Sequence, residues 1–359
     1  MYIDLDKLCV PLGSSILDAV QRMTLNRLGI VLVVDQEKKL LGTITDGDIR
    51  RTILANIALT GTVAILLENK ANTPHSKPLT GKAGESGKHY LQLLKTHQLL
   101  QLPLVDDRNR VVGLVTMDEF VDPVDIRLQA VVMAGGRGAR LNPLTEDIPK
   151  PMLTVGEKPL LEIIIAQLRS AGIRNVNITT HHKSEKISDH FGNGQNFDVN
   201  LSYVPEETPL GTAGAIGLMK MPKDPLLVIN GDILTKVDFK AILQFHREHQ
   251  ADLTVGVRVY DFKVPYGVVE CDGAKVVGLA EKPSYSFLVN AGIYLLEPHV
   301  HQFIPQGQHY NMTDLIQSLL ERGCNVVSFP IHEYWLDIGS HAEYRTAQED
   351  AVYFHPEQK

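Results

Sequence analysis

The sequence contains few residues that could cross-link the chain or bind a soft metal. Its 359 residues include three cysteines that lie far apart with no CxxC pair, Cys9, Cys271 and Cys324. This spacing argues against a disulfide framework and against a zinc site. It suits the reducing cytoplasm, which is where we expect this protein to act.

Long apolar runs and a basic excess are also missing. No apolar segment approaches the ~20 residues that a membrane-spanning helix needs. The N-terminal segment carries acidic Asp4 and Asp6 where a signal peptide would carry basic residues. The formal net charge is −7, and the apolar fraction of 44% is sufficient for ordinary globular cores. We therefore expect neither a membrane protein nor a nucleic-acid binder.

The first third of the chain contains an internal repeat. The segments VVDQEKKLLGTITDGD (33–48) and LVDDRNRVVGLVTMDE (104–119) align without a gap at an offset of 71 residues. Each copy predicts a strand, a tight polar turn, a second strand and then a helix. An amphipathic helix is predicted upstream of each copy, over 14–27 and 88–99. The same α+β unit is therefore expected twice.

This duplicated unit resembles a pair of cystathionine-β-synthase (CBS) domains, which together are called a Bateman module. The resemblance covers about residues 1–121, with the copies at approximately 1–60 and 61–121. Its strongest signal is GTITDGD at 42–48, which matches the family pattern G-x-(apolar)-T-x-x-D. A short linker over 122–129 is expected to join this tandem CBS module to the rest of the chain.

Thr45 and Asp48 are the candidate ligand-binding residues of this module. In the CBS family the corresponding hydroxyl and carboxylate bind the ribose and phosphate region of a nucleotide, which implies an adenine or guanine nucleotide as the ligand. The second copy departs from the pattern, because Glu119 stands where the aspartate is expected. The alternative is a purely structural pair that packs and dimerises without a ligand.

From Ala130 onward, apolar runs alternate with helix-length segments. AVVMAGG is followed by PLLEIIIAQLRSAG, and then by NVNITT, NLSYV, PLLVING and LTVGVRV. Continuous apolar strands that alternate with helices predict a mostly parallel sheet covered on both faces. We therefore expect a Rossmann-like α/β domain over 130–359, with its ligands at the carboxyl ends of the strands.

Two of these strand ends carry glycines or an acidic residue. MAGGRGARL (133–141) follows the first strand, and its glycines let backbone N–H groups approach a phosphate or a base. It lacks the full GxGxxG pattern and the GxxxxGK[ST] phosphate-binding loop. LLVINGD (226–232) places Asp232 directly after a buried strand. A lone aspartate in such a position is often only a helix cap.

A long proline-rich segment separates the glycines from the next helix. LNPLTEDIPKPMLTVGEKPLLE (141–162) contains four prolines, so it cannot form one continuous helix. Prolines stand on both sides of Lys150, which lowers the entropy lost when the loop becomes ordered. We expect a stiff loop that carries Lys150 towards a ligand.

The glycine-rich and proline-rich segments together resemble a family signature. AGGRGARLNPLTEDIPKPMLTVGEKPLLE (134–162) is similar to G-G-x-G-x-R-L-x-P-L-T-x-x-x-P-K-P-x-L-P-V-x-x-K-P of the sugar-1-phosphate nucleotidyltransferases. One departure is visible, since Thr154 stands where the family has proline. The resemblance covers about residues 129–345. Its further motifs are PLGTAGAI (209–216), INGD (229–232), EKP (281–283), VNAGIY (289–294) and YWLDIGS (334–340).

The resemblance implies a GT-A-like fold and a role for individual residues. Arg140 on the β- and γ-phosphates and Lys150 on the α-phosphate are the implied catalytic residues. Asp232 and Asp337 are the implied ligands of Mg²⁺, a hard cation that prefers carboxylate oxygen. Nucleotide contacts are implied for Ala134, Gly135, Gly136, Gly138, Gly211 and Thr212. Sugar-phosphate contacts are implied for Gly214, Glu281, Lys282 and Asn290.

The implied reaction joins a nucleoside triphosphate to a sugar 1-phosphate and releases pyrophosphate. PLGTAGAI and RLNPLTEDIPKPML look most like mannose-1-phosphate guanylyltransferases. A CBS pair ahead of the transferase is similar to the guanylyltransferases that activate glucosamine 1-phosphate for legionaminic acid biosynthesis in bacteria. This favours GTP with glucosamine or N-acetylglucosamine 1-phosphate, and UTP or dTTP is the alternative.

Two other classes of protein compete with an active transferase. A catalytically inactive nucleotide-sensing protein would keep the CBS pair, but it would not need the intact set of charged residues named above. A dinucleotide-dependent oxidoreductase would have a complete GxGxxG followed by a helix, whereas a proline-broken segment follows the glycines here. The CBS resemblance also implies a homodimer or higher homo-oligomer.

Overall fold

The computed structural model describes residues 2–71, 76–120 and 127–354. The chain divides into two units, Met1–Asp125 and Ile126–Lys359. The predicted linker over 122–129 begins at residues that lie outside the described ranges. Within those ranges, no helix is long and apolar enough to cross a membrane.

The N-terminal unit contains two small sheets of three strands each. Its strands are β1 (Cys9–Pro11), β2 (Ile30–Val34), β3 (Leu40–Thr45), β4 (Gly81–Lys82), β5 (Gln101–Val105) and β6 (Val111–Thr116). Its α-helices are α1 (Leu5–Leu8), α2 (Ile16–Asn26), α3 (Asp46–Leu54), α4 (Val63–Lys70) and α5 (Gly87–Thr96). The strand orders β1-β2-β3 and β4-β5-β6 have the same sequence of parallel and antiparallel pairs. The fold is therefore duplicated, as the repeat predicted.

The two copies pair their strands in the same register. Val33 faces Gly42 in the first hairpin and Leu104 faces Gly113 in the second, at the offset of 71 residues seen in the sequence. The segments after the hairpins differ. The first copy continues into α3, whereas the described part of the second has a 3₁₀ turn of three residues, Met117–Glu119, in place of the predicted helix.

Side chains fix the start of the helix that precedes each hairpin. The hydroxyl of Ser15 accepts a hydrogen bond from the N–H of Asp18 at 3.1 Å, and the Asp18 carboxylate accepts one from the N–H of Ser15 at 2.9 Å. This reciprocal pair is a capping box. Ser86 caps α5 by accepting from the N–H of His89. Both predicted amphipathic helices are confirmed, with starts within two residues of those expected.

The C-terminal unit is built on one seven-stranded sheet with three small two-stranded sheets around it. Its strands are β7 (Gln129–Met133), β8 (Thr154–Val155), β9 (Lys158–Pro159), β10 (Asn175–Thr180), β11 (Asn200–Pro205), β12 (Leu226–Asn230), β13 (Ile233–Thr235), β14 (Leu253–Lys263), β15 (Val268–Asp272), β16 (Lys275–Ala280), β17 (Ser284–Leu296), β18 (Val326–Pro330) and β19 (Trp335–Asp337). Its α-helices are α6 (Leu160–Ser170), α7 (Ser184–Phe191), α8 (Gly211–Gly214), α9 (Phe239–Glu248), α10 (Met312–Glu321) and α11 (His341–Glu349).

The large sheet has the strand order β11-β10-β7-β12-β17-β14-β18. Neighbouring strands are parallel except where β17 pairs with β12 and β14. This is the mostly parallel mixed sheet that the sequence predicted. Its two faces enter different cores, because Ala130 and Val132 pack with α6 whereas Val131 packs with α10. Because β11, β10, β7 and β12 run parallel to one another, their carboxyl ends share one edge of the sheet.

Two long strands extend beyond this sheet. β18 pairs with β14 only up to Val257, and β12 pairs with β17 only from Ile293. Within residues 2–71, 76–120 and 127–354, the remaining parts of β14 and β17 pair only with each other, and the β15–β16 hairpin lies between them in the sequence. We call residues 258–289 the arm.

Candidate active site

The carboxyl ends of β7 and β12 lie side by side. Asn230 pairs with Met133, and the N–H of Gly231 donates to the carbonyl of Met133 at 2.9 Å. A Cβ atom on Gly231 would lie 2.7 Å from that carbonyl oxygen, so the close approach requires glycine. The glycine-rich segment after β7 and Asp232 after β12 are therefore neighbours.

The glycine-rich segment after β7, called the glycine-rich turn below, is irregular over 134–138 and ends in a 3₁₀ turn at Ala139–Leu141. Ala134 is buried, and its N–H donates to the carbonyl of Thr179 at 3.1 Å. Gly136 has open space where a Cβ atom would lie. Gly138 has a φ of +65°, a left-handed conformation that glycine adopts at little cost. The turn thus presents backbone towards the edge of the sheet, where a phosphate or a base could approach it.

The proline-rich segment packs against this glycine-rich turn. The hydroxyl of Thr145 donates to the carbonyl of Gly138 at 2.9 Å, and the ammonium group of Lys183 donates to the carbonyl of Glu146. A 3₁₀ turn then forms over Lys150–Met152. These contacts hold Lys150 in place with only 8% of the residue exposed. The segment is an irregular loop and not one continuous helix, as predicted, and its stiffness stays a prediction.

Lys150 reaches the end of β12. Its Nζ atom lies 2.5 Å from Oδ2 of Asp232, although the two residues are 82 positions apart in the sequence. The lysine side chain is 9% exposed and the aspartate side chain 27% exposed. The implied catalytic lysine and the first implied metal ligand therefore form a partly open ion pair.

Asp337 lies beside this pair because β19 runs antiparallel to β13, which follows Asp232. Ile233 is the pairing partner of Asp337 in that small sheet. Burial raises the pKa of Asp337, and the charge of Asp232 raises it further, while Lys150 opposes the rise. Oδ1 of Asp337 is buried and has no hydrogen-bond partner among the described residues. An unsatisfied buried acceptor of this kind is costly unless a ligand or cation occupies it.

Arg140 lies close to the segment that follows Asp337. Its Nη2 atom is 3.5 Å from the point where a Cβ atom on Gly339 would lie. The N–H of Gly339 donates to Oε2 of Glu343 at 2.9 Å, which holds this segment against α11. Arg140 itself is exposed and lowers the pKa of Asp337. Both implied catalytic residues and both implied metal ligands thus lie at one edge of the sheet.

The glycines of PLGTAGAI are required by packing. A Cβ atom on Gly211, which has a φ of +78°, would lie 2.6 Å from Oδ1 of Asn311. One on Gly214 would lie 2.5 Å from the carbonyl oxygen of Gln308. The hydroxyl of Thr212 accepts from the N–H of Met312 at 2.8 Å. These contacts explain the residue types structurally, and the predicted contacts to base and sugar stay predictions.

The predicted sugar-phosphate residues Glu281, Lys282 and Asn290 lie on or next to the arm. Glu281 and Lys282 are exposed and stand between β16 and β17. Oδ1 of Asn290 accepts from the N–H of Gly292 at 3.0 Å. In the described ranges, no hydrogen bond or ion pair joins Glu281 or Lys282 to the implied catalytic residues. Their role in sugar binding stays a prediction.

The sequence did not reveal Glu206, a carboxylate at the end of β11 that is only 8% exposed. Its Oε2 accepts from the N–H of Leu210 at 2.9 Å. Its Oε1 lies 2.4 Å from the point where a Cβ atom on Gly135 would stand. The missing side chain at Gly135 therefore lets a buried carboxylate reach the glycine-rich turn. In the sequence Glu206 stands beside a second glutamate, Glu207, and nothing distinguishes the two. The structure distinguishes them, because Glu206 is buried whereas Glu207 is exposed.

Asn230 is a second residue that the sequence did not reveal. Its Oδ1 is buried, and within the part of the chain that the structure describes it has no hydrogen-bond partner. Its Nδ2 lies 2.6 Å from the point where a Cβ atom on Gly292 would stand, and Gly292 has a φ of +68°. Glycine in VNAGIY thus makes room for the side-chain amide at the end of β12. Asn230 and Asp337 leave two buried acceptors without donors at the same edge of the sheet as Asp232.

The predicted ligand pair of the N-terminal unit, Thr45 and Asp48, is occupied by the chain's own donors. Oδ2 of Asp48 accepts from the N–H and the hydroxyl of Thr45 at 2.9 and 3.0 Å. It also lies 2.5 Å from Nζ of Lys70, and Oδ1 accepts from Arg51 at 2.6 Å. Burial raises the pKa of Asp48, but Lys70 and the hydrogen bonds outweigh burial and lower it. Ribose binding at this site stays a prediction.

Comparison with known families points in the same direction as these contacts. A family model described as nucleotidyl transferase matches residues 129–352, which is more than half of the chain. A model described as CBS domain matches residues 4–55. The first match contains every residue assigned above to the edge of the large sheet.

Individual relatives differ in the base that they use. A mannose-1-phosphate guanylyltransferase of Mycobacterium tuberculosis is 36% identical over 234 residues, covering 63% of this chain and 65% of that protein. A UTP–glucose-1-phosphate uridylyltransferase of Synechocystis is 32% identical over 240 residues, covering 60% and 61%. The chain thus spans less than two thirds of either relative. The crystal structure of HddC from Yersinia pseudotuberculosis has a TM-score of 0.50 at 27% identity, covering 62% of this chain and 98% of that one.

Proposed function

Because the chain belongs to the nucleotidyl transferase family, we propose that it transfers a nucleotidyl group from a nucleoside triphosphate to a sugar 1-phosphate. The products are a nucleoside diphosphate sugar and pyrophosphate. The observation that carries this proposal is the Lys150–Asp232 pair, with Nζ and Oδ2 2.5 Å apart, beside a second carboxylate, Asp337, whose Oδ1 atom is buried. An inactive sensing protein would have no use for this costly cluster of charges.

The reaction is an attack by a sugar-phosphate oxygen on the α-phosphorus. A new phosphorus–oxygen bond forms while the bond to the pyrophosphate oxygen breaks. Both substrates are anionic, so the site must supply positive charge that is already in position. Lys150 is buried on the proline-rich loop, which suits it to exchange its partner Asp232 for an α-phosphate oxygen. Exposed Arg140 is free to bind the departing phosphates.

Asp232 and Asp337 suit Mg²⁺ as a cofactor. Two neighbouring carboxylates, one of which has a buried oxygen without a donor, are the hard oxygen ligands that this ion prefers. When bound, Mg²⁺ supplies positive charge that neutralises the phosphates. The chain itself orients both carboxylates through the backbone pairing of β13 with β19.

Glu206 supports GTP as the nucleotide. The Watson–Crick edge of guanine carries two adjacent donors, N1–H and N2–H₂, which a carboxylate can accept together. Uracil and thymine carry one donor, N3–H, between two carbonyl oxygens. A carboxylate repels both of these oxygens. Because Glu206 is 8% exposed and its Oε1 touches the glycine-rich turn, its charge favours guanine there. UTP or dTTP is the alternative substrate.

For the sugar, we propose glucosamine or N-acetylglucosamine 1-phosphate, within legionaminic acid biosynthesis in the cytoplasm. The support is the order of a CBS unit before the transferase. Exposed Lys282 would contact the sugar phosphate, and Glu281 and Asn290 would bind sugar hydroxyls. Gly214 stands next to the 308–311 segment and would bring backbone to the same substrate.

Pyrophosphate release tests the proposed activity. Four nucleoside triphosphates would be crossed with glucosamine, N-acetylglucosamine, mannose and glucose 1-phosphates in the presence of Mg²⁺. The highest rate is expected with GTP and an amino or acetylamino hexose. Turnover with UTP or dTTP alone would overturn the base assignment, and no turnover in any combination would favour the nucleotide-sensing alternative.

We further propose that a nucleotide bound to the N-terminal unit regulates the transferase. Thr45 and Asp48 motivate this proposal, and the structure adds a requirement. A ribose that uses the Asp48 carboxylate has to displace Lys70 or Arg51, both of which now donate to it.

The transferase rate and the melting temperature should therefore be measured with AMP, ATP, GDP and the sugar nucleotide product. A shift in either quantity is expected for at least one nucleotide, and it should disappear in Asp48→Asn. Asp107→Asn is the control, because Asp107 is exposed in the polar turn of the second copy. If no nucleotide moves either quantity, regulation through this unit is excluded.

A further inference from the structure

Helix α11 presents three polar side chains to the proline-rich segment. They belong to His341, Tyr344 and Gln348, which stand at positions i, i+3 and i+7 of the helix and therefore share one face. Each of them forms a hydrogen bond with a backbone carbonyl of residues 141–162, which lie about 190 to 200 positions earlier in the sequence. The contact face of α11 is thus directed at the segment that carries Lys150.

The first of these bonds lies near the start of the proline-rich segment. Nε2 of His341 is 2.9 Å from the carbonyl oxygen of Asn142, which stands eight positions before Lys150. Because a carbonyl can only accept, Nε2 carries the proton in this bond. The bond from Lys183 to the carbonyl of Glu146 holds the next part of the segment.

The other two bonds converge on one carbonyl four positions after Lys150. The oxygen of Thr154 accepts from the hydroxyl of Tyr344 at 2.8 Å and from Nε2 of Gln348 at 2.6 Å. Oε1 of Gln348 in turn accepts from the N–H of Gly156 at 3.1 Å. Among the described strands β8 pairs with β9 alone, so α11 supplies the contacts that a further strand would make. The segment is therefore held on both sides of Lys150.

The helix itself is anchored next to the second carboxylate of the site. It begins four positions after Asp337. The N–H of Gly339 donates to Glu343 in the first turn of α11. Ala347 is fully buried in the core, and the ring of Tyr344 packs against the same cluster. One short stretch of chain thus connects the carboxylate of Asp337 to the backbone on either side of the lysine.

We propose that α11 is a positioning helix for Lys150, an inference that rests on the transferase activity proposed above. Tyr344 and Gln348 spend their polar atoms on backbone groups, so they act through the segment and not on the substrate. Their bonds keep the ammonium group of Lys150 at a fixed place relative to Asp337. Removal of these bonds leaves every group of the candidate active site in the chain but lets the lysine move.

Positioning has a kinetic signature that a contribution to folding alone does not have. A displacement of about 1 Å can cost ~100-fold in rate, even when the substitution is far from the reacting atoms. Lys150 is proposed to act on the α-phosphate at reaction, so its displacement should lower kcat and leave KM for the nucleoside triphosphate nearly unchanged. A helix that only stabilised the fold would lower the melting temperature and leave kcat of the folded enzyme unchanged.

The test is a double variant, Tyr344→Phe with Gln348→Met. It removes both donors to Thr154 and the acceptor for Gly156, and it keeps the size of both side chains. We expect kcat for pyrophosphate release to fall roughly tenfold or more. In the Lys150→Met background the same two substitutions should have no further effect, because contacts that act through Lys150 then have nothing to position.

The matched control is Tyr203→Phe with Gln244→Met. The hydroxyl of Tyr203 donates to the carbonyl of Gly192 at 2.7 Å, and Nε2 of Gln244 donates to Glu248 at 2.7 Å, so the control also removes one tyrosine bond and one glutamine bond. Both bonds lie outside the proline-rich segment, and kcat and KM should not change. If the first double variant has a lower melting temperature, Tyr344→Phe alone replaces it, with an expected loss of roughly twofold to tenfold in kcat.

Hydrogen exchange of residues 142–157 gives a measurement that needs no turnover. It should be faster in the double variant than in the wild type or the control. In an active enzyme, the inference alone is overturned by unchanged exchange, by an unchanged kcat, or by an equal fractional loss of rate in the wild-type and Lys150→Met backgrounds. A wild type that releases no pyrophosphate would overturn the proposed function, and this inference would fail with it.

Discussion

Two lysine–aspartate pairs, one in each unit, have the same separation but differ in the hydrogen-bond donors around them. Nζ of Lys70 lies 2.5 Å from Asp48, and Nζ of Lys150 lies 2.5 Å from Asp232. Asp48 also accepts from Thr45 and Arg51, so its oxygens already have donors. The second pair stands beside a carboxylate oxygen that has none. A short ion pair is therefore no sign of a site by itself.

The balance of donors and acceptors separates the two regions. In the N-terminal unit the donors match the carboxylate, and the expected result is a fixed local structure. At the edge of the large sheet the acceptors of Asp232, Asp337 and Asn230 exceed the donors that reach them. Such an excess is stabilised by cations and by hydrogen-bond donors from a substrate. The predictions below test this difference, beginning with the largest effect.

Replacing Lys150 should have the largest effect on turnover. Lys150→Met keeps the length of the side chain but removes the charge proposed to meet the α-phosphate. Loss of one such electrostatic contact costs ~10²–10³-fold in rate, and pyrophosphate release measures it. Lys158→Met is the control, because Lys158 is an exposed lysine in the same proline-rich segment. Equal rates for the two variants would contradict the assigned role.

Replacing Asp337 should separate activity from stability. Asp337→Asn removes the repulsion between two neighbouring carboxylates and leaves the size of the side chain unchanged. We expect the metal-free melting temperature to stay level or rise, whereas calorimetric Mg²⁺ affinity falls ~10-fold or more. Asp238→Asn, at the exposed cap of α9, is the matched control. A lower melting temperature with unchanged Mg²⁺ affinity would assign Asp337 a structural role.

For Glu206, which accepts from the N–H of Leu210, the expected change is one of base specificity. Glu206→Gln supplies a donor in place of an acceptor, so guanine loses a partner while uracil and thymine gain one. We expect the ratio of kcat/KM for GTP over UTP to fall by a factor equivalent to ~1–3 kcal/mol. This is the discrimination that a good two-point contact with a base provides. Glu207→Gln is the control, since Glu207 is exposed. An unaltered ratio would remove Glu206 from base selection.

The smallest effect on catalysis is expected for the saturated pair of the N-terminal unit, whose loss should change local stability instead. Lys70→Met leaves Asp48 buried with fewer donors, although Thr45 and Arg51 still reach it. The loss of one donor should destabilise the N-terminal unit locally by about 2 kcal/mol. Because the pKa of Asp48 is lowered in the folded state, its stabilising contribution is present above the unfolded pKa and disappears as pH falls through the folded pKa. The difference between wild type and variant should therefore shrink in acid.

Hydrogen exchange of the segment from β3 through α3 measures this local stability. Lys82→Met is the control, because the ammonium group of Lys82 lies 3.8 Å from an exposed partner, Asp107. Equal protection in wild type and Lys70→Met at neutral pH would show that the pair contributes nothing measurable.

Periodic and contiguous patterns were sufficient to predict most of the fold. The alternation of apolar runs and helices predicted the large sheet, and the repeat offset of 71 residues predicted the duplicated register. Lys150 and Asp232 were predicted from separate motifs, and the adjacency of β7 and β12 explains why they meet. Patterns of this kind are local, so they survive in a single sequence.

Features that depend on distant neighbours were missed. Glu206 matters because Gly135 leaves space for it, and Lys70 matters because α4 brings it to Asp48. The arm was missed because its strands are exposed on both faces and lack the apolar-to-polar alternation of a half-buried strand. The sequence alone does not predict which carboxylate will receive enough hydrogen-bond donors in the folded chain.

Phosphorus NMR of a reaction mixture would test the central claim most directly. GTP and the best sugar 1-phosphate would be followed with wild-type protein and with Lys150→Met. The account predicts that the wild type converts the α-phosphorus of GTP into a sugar-linked diphosphate while pyrophosphate appears in equal amount, and that the variant does neither. Pyrophosphate or phosphate released without a sugar-linked diphosphate, or undiminished conversion by Lys150→Met, would contradict it.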